Sequence, residues 1–206
     1  MGAQSISTLR GYFEAYKEPT ADNFVDVFDS MLNLTDGGTV AGATTFTGAV
    51  TTASVTKGLV SITATDAITA AEHAGRTLVL NAADAGSTAV VLTLPAATGT
   101  GNVYCFVVGI VNAMSSGYKI QVTGDDTIDG WIVAANDVAN HASNNSINIW
   151  KCAAADDTIE LNGTTTGGVS IGDWICLTDI KADQWVVSGQ VEQSGTEATP
   201  FSEAFS

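Results

Sequence analysis

From Lys57 onward the chain is a succession of short apolar segments cut by Gly, Asn and Asp, and this punctuation constrains the fold more than any other feature. The segments are GLVSIT, RTLVLNA, TAVVLTLP, NVYCFVVGIV, YKIQVT, GWIVAA, INIWKCA, DTIELNG, DWICLTDI and QWVVSGQVE. Each has the length of a strand rather than of a helix. Val, Ile and Thr suit a pleated, half-buried surface, and Gly, Asn and Asp suit the turns between. About ten strands at roughly ten-residue spacing predict an antiparallel β-sandwich, jelly roll or barrel. No helix alternates with the strands, which argues against a doubly wound sheet. Only ITAAEHAG (68–75) reads as a helical turn, with Asp66 as a candidate cap. DDTIDG (125–130) and DDTIELNG (156–163) each follow a strand and read as one turn-and-strand device used twice.

The first 57 residues are built differently. TLRGYFEAYKEPTADNFVDVFDSMLNL (8–34) predicts a short helical turn before Pro19, carrying Leu9, Tyr12, Phe13 and Tyr16. Thr20 is a good N-cap for a second helix, with Asp22 in the first turn where the dipole favours it. Phe24, Val25, Val27, Phe28, Met31 and Leu32 then share one broad face. A helix of about twelve residues is marginal alone in water, so this aromatic face must dock on something. GGTVAGATTFTGAVTT (37–52) follows, with Val40, Phe46 and Val50 spaced by Thr, Gly and Ala. Its small residues permit close backbone approach, as in a strand that pairs between chains, and they equally suit a tether. The expected organisation is a helical docking arm (1–36), a Gly/Thr-rich strand or linker (37–57) and a β domain (58–206).

Charge and cysteine usage exclude several classes. The 206 residues carry 22 acidic and 7 basic side chains, a formal net charge of -15. Phosphate contacts carry the affinity of most nucleic-acid binders, so direct nucleic-acid binding is not expected. The acidic residues read as a solvated surface that repels its own copies at long range. No segment is an apolar signal core or approaches the ~18 residues of a membrane span, so synthesis in a cytoplasm and no membrane partner are expected. Cys105, Cys152 and Cys176 are odd in number and lack a C-x-x-C spacing. They are read as small buried hydrophobes of a reducing compartment, with neither disulfide nor zinc.

Catalytic patterns in the sequence are few and incomplete. GVSIG (168–172) matches the nucleophile-elbow pattern at Ser170, but a strand-like segment follows it, and His73 and His141 both precede it. Asp125, Asp126 and Asp129 sit in one turn, without the alternate-position oxygens and terminal Glu of a calcium loop. Glycosylation-type matches at Asn33, Asn144 and Asn162 carry no weight in a chain that is not exported. No enzyme activity, cofactor or metal is expected. Trp131, Trp150, Trp174 and Trp185 all fall at strand positions, where core or interface packing is commoner than a carbohydrate platform.

Two passages carry a resemblance. LRGYFEAYKEPTADNFVDVFDSMLNL, followed by TFTGAVT, resembles the opening of tailed-bacteriophage structural proteins through Tyr12-Phe13, Pro19-Thr20, Phe24 and Asp29-Ser30. AITAAEHAGRTLVLNAADAGSTAVVLTLPAATGTGNVYCFVVG resembles β domains of phage head-decoration and fibre proteins, as do GDWICLTDIKADQWVVSGQV and the tail SGTEATPFS. The resemblance implies a capsid decoration (cement) protein or short head fibre: a homotrimer on the virion surface whose partners are the major capsid protein and its own copies. Tyr12, Phe13, Phe24, Phe28 and Phe46 would then dock on the capsid or a neighbouring subunit. A tail-fibre or baseplate module that binds a host glycan is the alternative. Residues 39–57 are short for a fibre shaft, which favours the capsid surface.

Overall fold

The computed structural model describes residues 6–14, 18–24, 58–82, 89–110, 117–136 and 146–203. The chain divides into two compact units, Met1–Ser54 and Val55–Ser206. In the first, helix α1 spans Ile6–Tyr12. Thr20 caps a helical turn at 21–24 as its sequence predicts. Its Oγ1 accepts from the Asn23 amide at 3.3 Å, and the Asn23 Oδ1 accepts from the Thr20 amide at 2.9 Å. This reciprocal pair satisfies two amides at the helix start. The expected continuation of this helix to Leu32 and the whole of GGTVAGATTFTGAVTT lie outside the described residues.

The second unit is mostly β, as its punctuation predicts. Its strands are β1 (Leu59–Ile62), β2 (Asp66–Ala67), β3 (Thr77–Leu80), β4 (Val90–Thr93), β5 (Val103–Val108) and β6 (Tyr118–Gln121), then β7 (Thr127–Asn136), β8 (Ile147–Lys151), β9 (Thr158–Leu161), β10 (Trp174–Lys181), β11 (Gln184–Gln193) and β12 (Phe201–Ser202). All ten expected segments contain a strand. The two-residue β2 and β12 were not expected, because neither has an apolar run to mark it. Helix α2 (Ala70–His73) is capped by Thr69, whose Oγ1 accepts from the Glu72 amide, and not by Asp66. Asp66 instead lies in β2, paired with Leu92.

The strands form a seven-stranded sheet, β1-β3-β5-β10-β11-β7-β8, and a five-stranded sheet, β12-β9-β6-β4-β2. Both are mixed, which corrects the antiparallel expectation. From β1 to β7 the chain alternates between the sheets at every strand. Thus β1, β3 and β5 pair in parallel in one sheet, and β2, β4 and β6 in the other. Parallel neighbours need a crossover, usually a helix. Here the crossover is the strand in the opposite sheet, so the absence of β-α-β alternation did not forbid parallel pairing. The rest is chiefly antiparallel: β10 pairs with β5 and forms a hairpin with β11. Asp183 takes a left-handed conformation (φ 62) in that hairpin's turn. Asp is among the few residues that tolerate it.

One core fills the space between the sheets. Inward side chains of the seven-stranded sheet (Leu78, Tyr104, Phe106, Ile132, Leu177, Trp185) and of the five-stranded sheet (Leu92, Ile120, Ile159) are almost completely buried and belong to one cluster. Tyr104 and Trp185 meet edge to face at 5.6 Å. Two glycines let backbones close up inside the larger sheet. A Cβ on Gly130 would overlap the Val187 carbonyl oxygen, and one on Gly189 would come within 2.6 Å of the Trp174 carbonyl oxygen.

Cys105 and Cys176 form a disulfide between directly paired residues of β5 and β10, with Cα atoms 4.1 Å apart. This overturns the expectation of three unpaired cysteines and removes the basis for reading a reducing compartment. The residues lie 71 apart in sequence, so only strand pairing brings them together. Cys152 alone matches the buried-hydrophobe reading.

Candidate docking faces

The expected docking residues separate into three cases. Tyr12 is the last residue of α1 and half-buried. Phe13 and Phe24 meet edge to face at 5.8 Å, yet remain 49% and 47% exposed. An aromatic pair half in water presents apolar surface that a partner can cover. Phe28 and Phe46 lie outside the described residues.

A larger apolar surface, which the sequence reading did not single out, lies on the outer face of the seven-stranded sheet. Period-two alternation fixes it. While Ile128, Ile132 and Ala134 of β7 point into the core, Trp131, Val133 and Ala135 point out. Ile147, Ile149 and Lys151 of β8 pair with these outward residues, in the order Ala135, Val133, Trp131. Across β11 the row continues through Gln190 to Trp174 on β10 and Val107 on β5. Trp131 is 55% exposed, Ile147 71% and Ile149 67%. A groove of about 530 Å³ runs along this face, lined among others by Val133, Ile147, Ile171, Trp174 and Glu192. The signal was present in GWIVAA and INIWKCA, which are apolar on both parities, whereas a strand with one wet face alternates.

The four tryptophans divide evenly. Trp185 is wholly buried. Trp150 packs against the core and donates through Nε1 to the Gln193 Oε1 at 2.9 Å. Trp131 and Trp174 are on the outer face.

Loops at the ends of the strands are fastened by buried carboxylates, which the reading of a uniformly solvated acidic surface missed. Among the described residues five aspartates are buried: Asp126, Asp156, Asp157, Asp173 and Asp179. Asp179 accepts from the amides of Thr98, Gly99 and Thr100 at 3.0, 2.6 and 3.0 Å and from the Thr100 hydroxyl at 2.6 Å. Desolvation pushes its pKa up, but the Thr100 hydroxyl and these amides outweigh it and hold the carboxyl below its ordinary value. Asp173 accepts from the amides of Gly168 and Glu192, both at 3.0 Å. There desolvation wins, and its pKa is raised.

The chemical motifs resolve as fasteners too. Ser170 precedes strand β10, and its hydroxyl donates to the Glu192 carboxylate. Of the turn aspartates, Asp126 accepts from the Ala97 amide at 2.7 Å and Trp185 Nε1 at 3.3 Å. Asp129 instead takes the Gly130 amide, and Asp125 is exposed. Asp126 and Asp156, the second Asp of one DDTI segment and the first of the other, each hold a backbone amide, while Asp157, which matches Asp126 in the alignment of the two segments, accepts from the Thr158 hydroxyl. His73 is buried, and its Nδ1 accepts from the Thr69 amide at 3.0 Å, which leaves the proton on Nε2. Asn162 Oδ1 accepts from the Thr164 and Thr166 amides at 2.9 and 3.1 Å and orders its own loop. Desolvation, then the Asp156 and Asp129 carboxylates, push the Cys152 thiol up to about 12, so it stays protonated and unreactive at neutral pH. No group of three metal-ligating side chains converges among the described residues. Comparison with known proteins finds no matching family model, no similar curated protein and no similar solved structure.

Proposed function

We propose that this chain is a structural virion protein that decorates and stabilises the capsid surface of a tailed bacteriophage as a homotrimer. The phage resemblance of its two sequence passages motivates the reading. The observation that carries it is the apolar outer face of the seven-stranded sheet, where a free-standing sheet would turn polar side chains to water. A cement protein works by burying area between subunits that internal pressure pushes apart. The aromatic arm, with Tyr12, Phe13, Phe24 and Phe28, would supply a second contact, to the capsid or to a neighbouring copy. Immunogold labelling of purified particles tests the reading: gold over the whole head supports it, and its absence from every particle refutes it. Deleting residues 1–36 is expected to abolish particle binding.

A tail-fibre or baseplate module that binds a host glycan is favoured by one specific feature, the exposed Trp131 on the same face as Trp174. Gold confined to the tail, with glycan-array binding lost in Trp131→Ala, would put that reading first.

A further inference from the structure

We infer that the β7–β8 corner of the seven-stranded sheet is the surface on which a second copy of this chain docks. Strand β8 is a sheet edge, and its two outward isoleucines stand more than 65% exposed. An edge of this kind normally carries charges that block pairing; here Lys151 is the single charged residue of the strand. Trp131, Ile147, Ile149 and Ile171 leave roughly 500 Å² of apolar side chain in water, near the upper end for a monomer. Val133 and Trp174 bring the patch toward the roughly 800 Å² per partner of a stable interface.

Charge placement selects the occupant. A chain at -15 repels its own copies everywhere except where acidic groups are sparse. Lys151 marks one end of this patch, with Asp129 one row beyond, and Glu192 marks the other. Val133 lies midway between Lys151 and Glu192, which are two strands and four residues apart, or roughly 16 Å. An apolar centre with a cation at one end and a carboxylate at the other fits another copy of itself. Lys151 of one subunit then meets Glu192 of the next, about a two-fold or a three-fold axis. The inference takes only self-association from the proposed function. Particle labelling tests the virion role separately, so either can fail alone.

Sedimentation velocity on the full chain from about 1 to about 100 µM reads the association directly. Wild type is expected to self-associate, and Ile149→Lys to raise the dissociation constant at least about tenfold by placing a charge in the apolar centre. Lys151→Glu and Glu192→Lys should each weaken association about two- to fivefold, and the double swap should restore it. Restoration distinguishes a second copy from any other partner, which would meet two wrong charges. Wild type that stays monomeric throughout overturns the inference. So does Ile149→Lys associating like wild type, or a double swap no tighter than the singles. Thermal unfolding verifies that each variant folds. If Glu192→Lys disturbs the 168–173 loop, Ile149→Lys decides alone.

Discussion

The outer faces of the two sheets differ, although both cover the same core. On the five-stranded sheet most outward residues are polar, with Val91 the apolar exception beside Lys119. Lys119 and Glu160, paired across β6 and β9, stand 4.0 Å apart, and Gln121 donates to Thr93 at 3.1 Å. The corresponding face of the seven-stranded sheet carries Val107, Trp174, Gln190, Val133 and Ile149 in one row, with Gln190 the single polar member, and the disulfide in the next. Inward faces of both sheets are equally apolar. The difference therefore does not come from what each sheet needs to fold; it is the observation on which the proposed docking face rests.

The largest test of this contrast is in the shared core. Leu177→Ala in the large sheet and Ile120→Ala in the small one should each cost about 3 kcal/mol in chemical denaturation, because both side chains are fully buried. A much cheaper Ile120→Ala would mean that the small sheet is a cover and not half of one core. Next, the Cys105→Ser/Cys176→Ser variant should lose about 2–4 kcal/mol, with reductant giving wild type the same loss.

Asp179→Asn comes third, at about 2 kcal/mol at neutral pH, since four donors lose their charged acceptor. Its sign with pH is definite. The folded pKa lies below the ordinary value, so the carboxylate contributes stability above roughly pH 4 that is lost as pH falls through the folded pKa. The gap between wild type and Asp179→Asn should therefore close in acid. Asp173, with a raised pKa, contributes in the opposite sense: its share is present at low pH and lost as pH rises through the folded value. Equilibrium denaturation at stepped pH measures both. Smallest of all, Lys119→Ala on the polar face should change stability by less than about 0.5 kcal/mol, since its half-exposed ion pair is screened. A larger loss would show that the polar face is itself structural.

Much of this was legible locally. Except for β2, strand positions from Leu59 to Gln193 followed from apolar segments and their Gly, Asn and Asp punctuation, and Thr20 capped its helical turn as its side chain requires. The candidate site was legible only in part. Phe13 and Phe24 pack edge to face and stay half exposed, and Phe28 and Phe46 fall outside the described residues. The broader face assembles Trp174, Trp131 and Ile149 from three strands separated by tens of residues, so no single window contains it.

The sequence by itself determined the class of structure, because side-chain alternation and turn chemistry act within a few residues and need no partner. It did not decide whether neighbours run parallel or antiparallel, since a period of two serves both, and the antiparallel expectation failed for β1, β3 and β5 and for β2, β4 and β6. The tertiary structure decided that. By stacking β1, β3 and β5 over crossovers in the opposite sheet, it placed Cys105 beside Cys176, drew Asp126 and Asp179 inside as fasteners, and turned one apolar sheet face outward. Each outcome depends on which distant strands share a core, a choice made by the packing of whole inner faces and carried by no short stretch of chain.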